Sequence, residues 1–218
     1  MSTEVLDQIR AAGVLPVIVI DDAKKAVLLA DALLRGGMAV AEITFRTAAA
    51  ADVIAAMKQA RPSMLIGAGT VLNGATVDAA RSAGADFALA PGSNPQVIRH
   101  AADVGLPFYP GVTAPSDIEA ALSAGARVLK FFPAEASGGL DWLKVVASPY
   151  VMEGLRFIPT GGIRRDTAGR YLASPLVLAV GGTWIAEQEM IARGDWDAVS
   201  ANAAEAVQLA TQAHAENP

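Results

Sequence analysis

Eight short apolar runs, each followed by an Ala-rich helical stretch, recur along the 218 residues at intervals of about 19 to 29 residues. The runs are VLPVIVI (14–20), VAEITFR (40–46), LIGAGTV (65–71), FALAPG (87–92), PFYPGV (107–112), RVLKFFPA (127–134), RFIPTGG (156–162) and PLVLAVGG (175–182). Most lack polar alternation, the pattern of parallel strands buried on both faces. The helical stretches end in glycine at LLRGG (33–37), RSAG (81–84), AADVG (101–105) and ALSAG (121–125), as expected where a helix returns to a strand through a left-handed residue. Eight βα units close naturally into a (β/α)8 TIM barrel, with residues 3–12 as an extra N-terminal helix. A doubly wound open sheet is the competing α/β architecture. No linker or low-complexity segment interrupts the pattern, so residues 1–218 read as a single domain.

Composition excludes several function classes. Cysteine is absent and only two histidines, His100 and His214, occur, so the chain offers neither a disulfide framework nor a Cys- or His-rich metal site. The formal charge is −5 with both signs interspersed, and no basic run suggests a nucleic-acid partner. No apolar run approaches the roughly 20 residues of a membrane span, and MSTEVLDQIRAAG has no signal-peptide layout. The expectation is a cytoplasmic protein acting on small molecules.

Barrel chemistry sits at the C-terminal ends of the strands. In AEITFRT, Glu42, Thr44 and Arg46 are spaced by two and share one face of the second strand. The sixth strand carries a lone lysine, Lys130, between Val128–Leu129 and Phe131–Phe132. Second and sixth strands lie opposite one another in an eight-stranded barrel, so Lys130, Glu42 and Arg46 are expected to share a pocket. A buried Lys130–Glu42 pair that only orients the fold is the alternative, though such pairs rarely improve on apolar replacements. An ordinary lysine is neutral in well under about 0.1% of molecules at pH 7. Desolvation beside two phenylalanines and a nearby cation both favour the neutral amine, a nucleophile suited to Schiff-base formation.

Glycine pairs close the seventh and eighth strands, Gly161–Gly162 in PTGGI and Gly181–Gly182 in GGTW, with Thr160 and Thr183 beside them. Their backbones can approach a ligand and cradle an anion where many barrels hold phosphate. In GAGTV the small residues leave room and Thr70 offers a hydroxyl, although tight packing at a barrel rim explains the same pattern. His100, His214, Trp142, Trp184 and Trp196 read as surface or helix-packing residues.

Taken in order, AEITFRT, GAGTV, APG, YPGVTAPSD, VLKFFPA, PTGGI and GGTW resemble the 2-keto-3-deoxy-6-phosphogluconate (KDPG) and 4-hydroxy-2-oxoglutarate (KHG) aldolases. The resemblance implies a class I aldolase, a lyase on a (β/α)8 barrel that needs no metal or other cofactor and is usually a homotrimer. By it, Lys130 forms the Schiff base and Glu42 is the acid/base. Arg46 holds the substrate carboxylate, while Thr70, Pro91 and Phe132 line the pyruvate site. Thr160, Gly161 and Gly162, with Gly181, Gly182 and Thr183, form the phosphate cradle. The implied substrates are a 2-keto acid and a phosphorylated aldehyde: KDPG cleaved to pyruvate and glyceraldehyde 3-phosphate, and 4-hydroxy-2-oxoglutarate cleaved to pyruvate and glyoxylate. Thr183 replaces the serine usual in the last motif, and Phe45 replaces a more usual aliphatic residue, pointing away from the interior. Rival readings are the same mechanism with another aldehyde half, such as the galactonate-series substrate, a phosphosugar isomerase or epimerase, and a silent phosphate binder.

Overall fold

The computed structural model describes residues 3–216. In chain order the elements are α1 (Thr3–Ala12), β1 (Val14–Ile18), α2 (Ala26–Arg35), β2 (Val40–Thr44), α3 (Ala50–Ala60), β3 (Leu65–Gly69), α4 (Gly74–Ser82), β4 (Phe87–Leu89), α5 (Pro95–Asp103), β5 (Phe108–Tyr109) and β6 (Gly111–Val112). There follow α6 (Pro115–Ser123), β7 (Val128–Phe131), α7 (Gly139–Ala147), β8 (Arg156–Phe157), α8 (Arg165–Leu172), β9 (Val180–Gly182), α9 (Gln188–Arg193) and α10 (Trp196–Glu216). All strand pairs are parallel. They form a six-stranded sheet, ordered β5-β4-β3-β2-β1-β9, and a three-stranded sheet, β6-β7-β8. Bridges Phe157–Val177 and Thr160–Gly181 join the smaller sheet to the chain leading into and through β9.

The local sequence accounts for these elements. Every residue of β1, β2 and β3 is buried, in keeping with their unbroken apolar runs. Gly37, Gly84, Gly105 and Gly125 adopt the left-handed conformation just past α2, α4, α5 and α6. Asn73 and Asn94 cap α4 and α5 by accepting from the amides of Thr76 and Gln96.

Three boundaries differ from the sequence expectation. The fifth apolar run becomes two strands, because Pro110 has no N–H to donate to a ladder. The second strand ends at Thr44, short of Arg46. The eighth run starts pairing as a strand only at Val180. The result is two sheets joined by isolated bridges in place of one continuous eight-stranded ladder. His214 lies within α10 and is half-buried. Among the described residues, no helix is long and apolar enough to cross a membrane.

Candidate active site

Apart from two tyrosines, five polar or charged side chains are buried among the described residues, and four of them occupy the strands and strand ends facing one interior: Glu42, Thr44, Lys130 and Thr160. Glu42 is 0% exposed and Lys130 5% exposed. The Lys130 Nζ donates to Glu42 Oε1 at 3.0 Å, across 88 residues of sequence. Removing two charges from water costs several kcal/mol each, and Glu42 Oε2 has no hydrogen-bond partner among the described residues. An arrangement with an orphaned carboxylate oxygen is poorly explained as a device for stability.

Neighbouring backbone makes room for this pair. Glu42 and Gly67 are register partners on β2 and β3, and Thr44 pairs with Gly69. The carboxylate lies so close to Gly69 that a Cβ there would sit 2.2 Å from Glu42 Oε1. Lys130 is the register partner of Gly111 on β6. A Cβ on Gly111 would in turn sit 2.1 Å from the Pro91 carbonyl, so the glycine lets the Pro91 loop close against the strand beside the lysine. Lys130 Nζ lies 5.7 Å from the Phe132 ring centroid, and the Phe132 carbonyl is fixed by the Thr113 hydroxyl at 2.6 Å.

The glycine loops meet the same region. A Cβ on Gly161 would come 3.3 Å from the Phe132 ring, and one on Gly162 would come 2.8 Å from Glu135 Cβ. Gly161 and Gly162 both have positive φ, and their amides donate to nothing among the described residues. Across from them, Gly181 pairs with Thr160 and lies directly under its hydroxyl. Thr183 is exposed at the mouth, in a groove lined also by Gly162, Ile163, Arg164 and Trp184. Helix α8 begins at Arg165, so its N-terminal end lies beside this loop.

The candidate residues thus divide. Glu42, Lys130 and Phe132 converge, Pro91 abuts the strand next to Lys130, and Thr160, Gly161, Gly162 and Gly181 form the adjoining loop pair. Arg46 is exposed on the loop after β2 and makes no ion pair among the described residues, in contrast to the inward position expected from alternation. Thr70 is half-buried with φ at 60°, the one non-glycine residue with positive φ among those described. For a β-branched residue that conformation costs on the order of 1–3 kcal/mol, and such strain collects at functional sites. One supporting residue escaped the sequence reading: Thr113, which fixes the Phe132 carbonyl, passes for an ordinary turn residue in YPGVTAPSD.

A family model for KDPG and KHG aldolases matches residues 5–202. The chain belongs to the KDPG and KHG aldolase family. A 2-dehydro-3-deoxy-phosphogluconate aldolase of Haemophilus influenzae is 43% identical over 196 residues, covering 90% of this chain and 92% of its own. A KHG/KDPG aldolase of Escherichia coli is 39% identical over 195 residues, covering 89% and 91%. Among solved structures, the KDPG aldolase of Legionella pneumophila aligns at a TM-score of 0.88 with 35% identity, over 94% of this chain and 98% of that one. That enzyme was captured with pyruvate as a covalent carbinolamine at low pH.

Proposed function

We propose that the protein is a class I aldolase that cleaves KDPG to pyruvate and glyceraldehyde 3-phosphate through a Schiff base on Lys130. The observation that carries this reading is the buried Lys130–Glu42 contact at 3.0 Å, at the end of the interior where the glycine loops meet. Passing one proton from Nζ to the carboxylate leaves a neutral amine within a hydrogen bond of its own acid/base partner. The amine adds to the C2 carbonyl to give a carbinolamine, and Glu42 returns the proton as water departs, leaving an iminium ion. The Glu42 carboxylate then takes the C4 hydroxyl proton. The C3–C4 bond breaks, its electron pair moves into the enamine, and the aldehyde leaves. Protonation of the enamine at C3 and hydrolysis of the iminium release pyruvate and restore Lys130.

The surrounding residues fit assigned roles. On this reading Arg46, exposed on the loop after β2, binds the substrate carboxylate as a charge-assisted partner, while Thr70, Pro91 and Phe132 bound the pyruvate half. The unpaired amides of Gly161 and Gly162, the Thr160 and Thr183 hydroxyls, the Gly181–Gly182 backbone and the start of α8 together offer the phosphate donors and a favourable dipole. 4-Hydroxy-2-oxoglutarate presents the same keto-acid half and is a second substrate on this reading.

We further infer that the two sheets are parts of one (β/α)8 barrel in a single domain, with α1 preceding the repeating units. The Leu178 amide donates to the Phe157 carbonyl and the Gly181 amide to the Pro159 carbonyl, both at 2.8 Å, across one seam. At the other seam β5 and β6 are separated by Pro110 alone. The homotrimer and the cytoplasmic location belong to the same proposal, and light scattering on the purified chain tests the former. The chemistry is tested by incubating the protein with pyruvate and borohydride, measuring intact mass and mapping the adduct. A pyruvyl adduct on Lys130 is expected; a folded protein that gains none would refute the Schiff-base mechanism.

A further inference from the structure

Beyond β7, the strand that carries Lys130, the chain runs through Phe132 and Pro133 to Ala134 and a single 3-10 turn, Glu135–Ser137. Two amides of this segment donate to the glycine loop: Ala134 to the Thr160 carbonyl at 2.8 Å and Glu135 to the Gly161 carbonyl at 3.0 Å. In a planar trans peptide the C=O and the N–H that follows it point in opposite directions. Pinning the Thr160 carbonyl therefore aims the Gly161 amide away from Ala134. Pinning the Gly161 carbonyl aims the Gly162 amide away from Glu135. The approach is close enough to require glycine: Gly161 and Gly162 have φ of 102° and 80°, and a Cβ on Gly162 would lie 2.8 Å from Glu135 Cβ.

Glu135 is itself held from α8. Its Oε1 accepts from the Tyr171 hydroxyl and, at 3.0 Å, from Arg170 Nη2, which also lies 3.4 Å from Oε2. Tyr171 is 0% exposed, whereas more than half of the Arg170 side chain faces solvent. The phenol is therefore the firm anchor, since an exposed ion pair contributes little. Gly139, at the start of α7, leaves the space these groups occupy: a Cβ there would lie 3.3 Å from the Tyr171 hydroxyl and 3.4 Å from Arg170 Nη2. Only Ile163 and Arg164 separate the glycine loop from α8, so the contacts close a ring from loop to Glu135, from Glu135 to α8, and from α8 back to the loop. We propose that Glu135, locked by Tyr171, is a positioning residue for the glycine loop, directing its amides at the distal phosphate of the substrate. The effect is selective by chemistry. KDPG carries that phosphate at C6, whereas 4-hydroxy-2-oxoglutarate ends at C5 in a carboxylate and makes no use of the cradle.

This inference rests on the aldolase reading and on the phosphate role given to the loop, and the test separates it from both. Wild-type turnover of the two substrates and pyruvate–borohydride labelling of Lys130 examine the aldolase reading on their own. Tyr171→Phe then removes only the hydroxyl and keeps the ring. Its labelling at Lys130 and its turnover of 4-hydroxy-2-oxoglutarate should persist, which also shows that the variant is folded. For KDPG its KM is expected to rise roughly three- to tenfold with kcat little changed, as when binding common to ground and transition states is lost. Glu135→Gln, whose amide oxygen is a weaker acceptor, should shift the ratio of kcat/KM for the two substrates in the same direction. Equal losses on both substrates would reduce the contact to one that only stabilises the fold. An unchanged ratio in either variant would overturn the positioning role.

Discussion

Replacing Gly69 with alanine tests the site without removing any of its functional groups. Gly69 does not have positive φ, so alanine can adopt its backbone conformation. The obstacle is steric: the new Cβ would sit 2.2 Å from Glu42 Oε1 and 2.8 Å from both Cδ and Cγ. Restoring an ordinary carbon–oxygen contact of roughly 3.3 Å requires the carboxylate to retreat by about 1 Å. The Lys130–Glu42 separation, now 3.0 Å, then stretches past hydrogen-bonding range. A misplacement of about 1 Å costs on the order of a hundredfold in rate, equivalent to ~2.7 kcal/mol of transition-state stabilisation. Overpacking costs about 1–3 kcal/mol of stability, offset by roughly 0.4–1 kcal/mol from the stiffer unfolded chain, so the variant should remain folded. The assay is steady-state release of pyruvate from KDPG, coupled to its reduction and followed alongside a thermal melt. The expectation is a kcat about a hundredfold down, with a Tm lower by a few degrees. A Gly69→Ala enzyme with kcat within about twofold of wild type would refute the claim that this contact fixes the catalytic carboxylate.

Glu42→Gln should lower kcat by roughly 10²–10⁴-fold while leaving KM near its original value; a change confined to KM would remove Glu42 from proton transfer. Arg46→Ala should raise KM for the keto acid by roughly 10- to 150-fold, the worth of a charge-assisted hydrogen bond, and an unchanged KM would assign the carboxylate elsewhere. Gly181→Ala should push aside the Thr160 hydroxyl, which would otherwise lie 2.2 Å from the new Cβ, raising KM for the phosphorylated substrate while pyruvate labelling of Lys130 persists. At alkaline pH the fold itself should weaken. Burial, with Glu135 accepting its hydrogen bond, pushes the Tyr171 phenol up to about 12. Because the folded chain holds this proton more tightly than the unfolded one, stability is intact below about pH 10 and falls by at most about 1.4 kcal/mol per pH unit between roughly 10 and 12. Urea midpoints across that range should decline less steeply in Tyr171→Phe, and parallel slopes would show that Tyr171 does not titrate as argued.

Much of this geometry was legible because strands and pockets impose patterns on sequence. The lysine in VLKFF and the glutamate in AEITFR lie on opposite strands of an eight-stranded pattern, and they meet at 3.0 Å. Alternation could not reveal where a ladder stops. The last bond of β2 to its neighbour is from the Phe45 amide to the Gly69 carbonyl; beyond it, Thr70 turns left-handed and the partner strand leaves. Arg46 therefore emerges at the mouth, although its spacing from Glu42 and Thr44 predicts an inward place. The departure matters to the chemistry. An arginine on the strand face would compete for the carboxylate that Lys130 now holds, whereas one on the exposed loop can bind substrate without that competition.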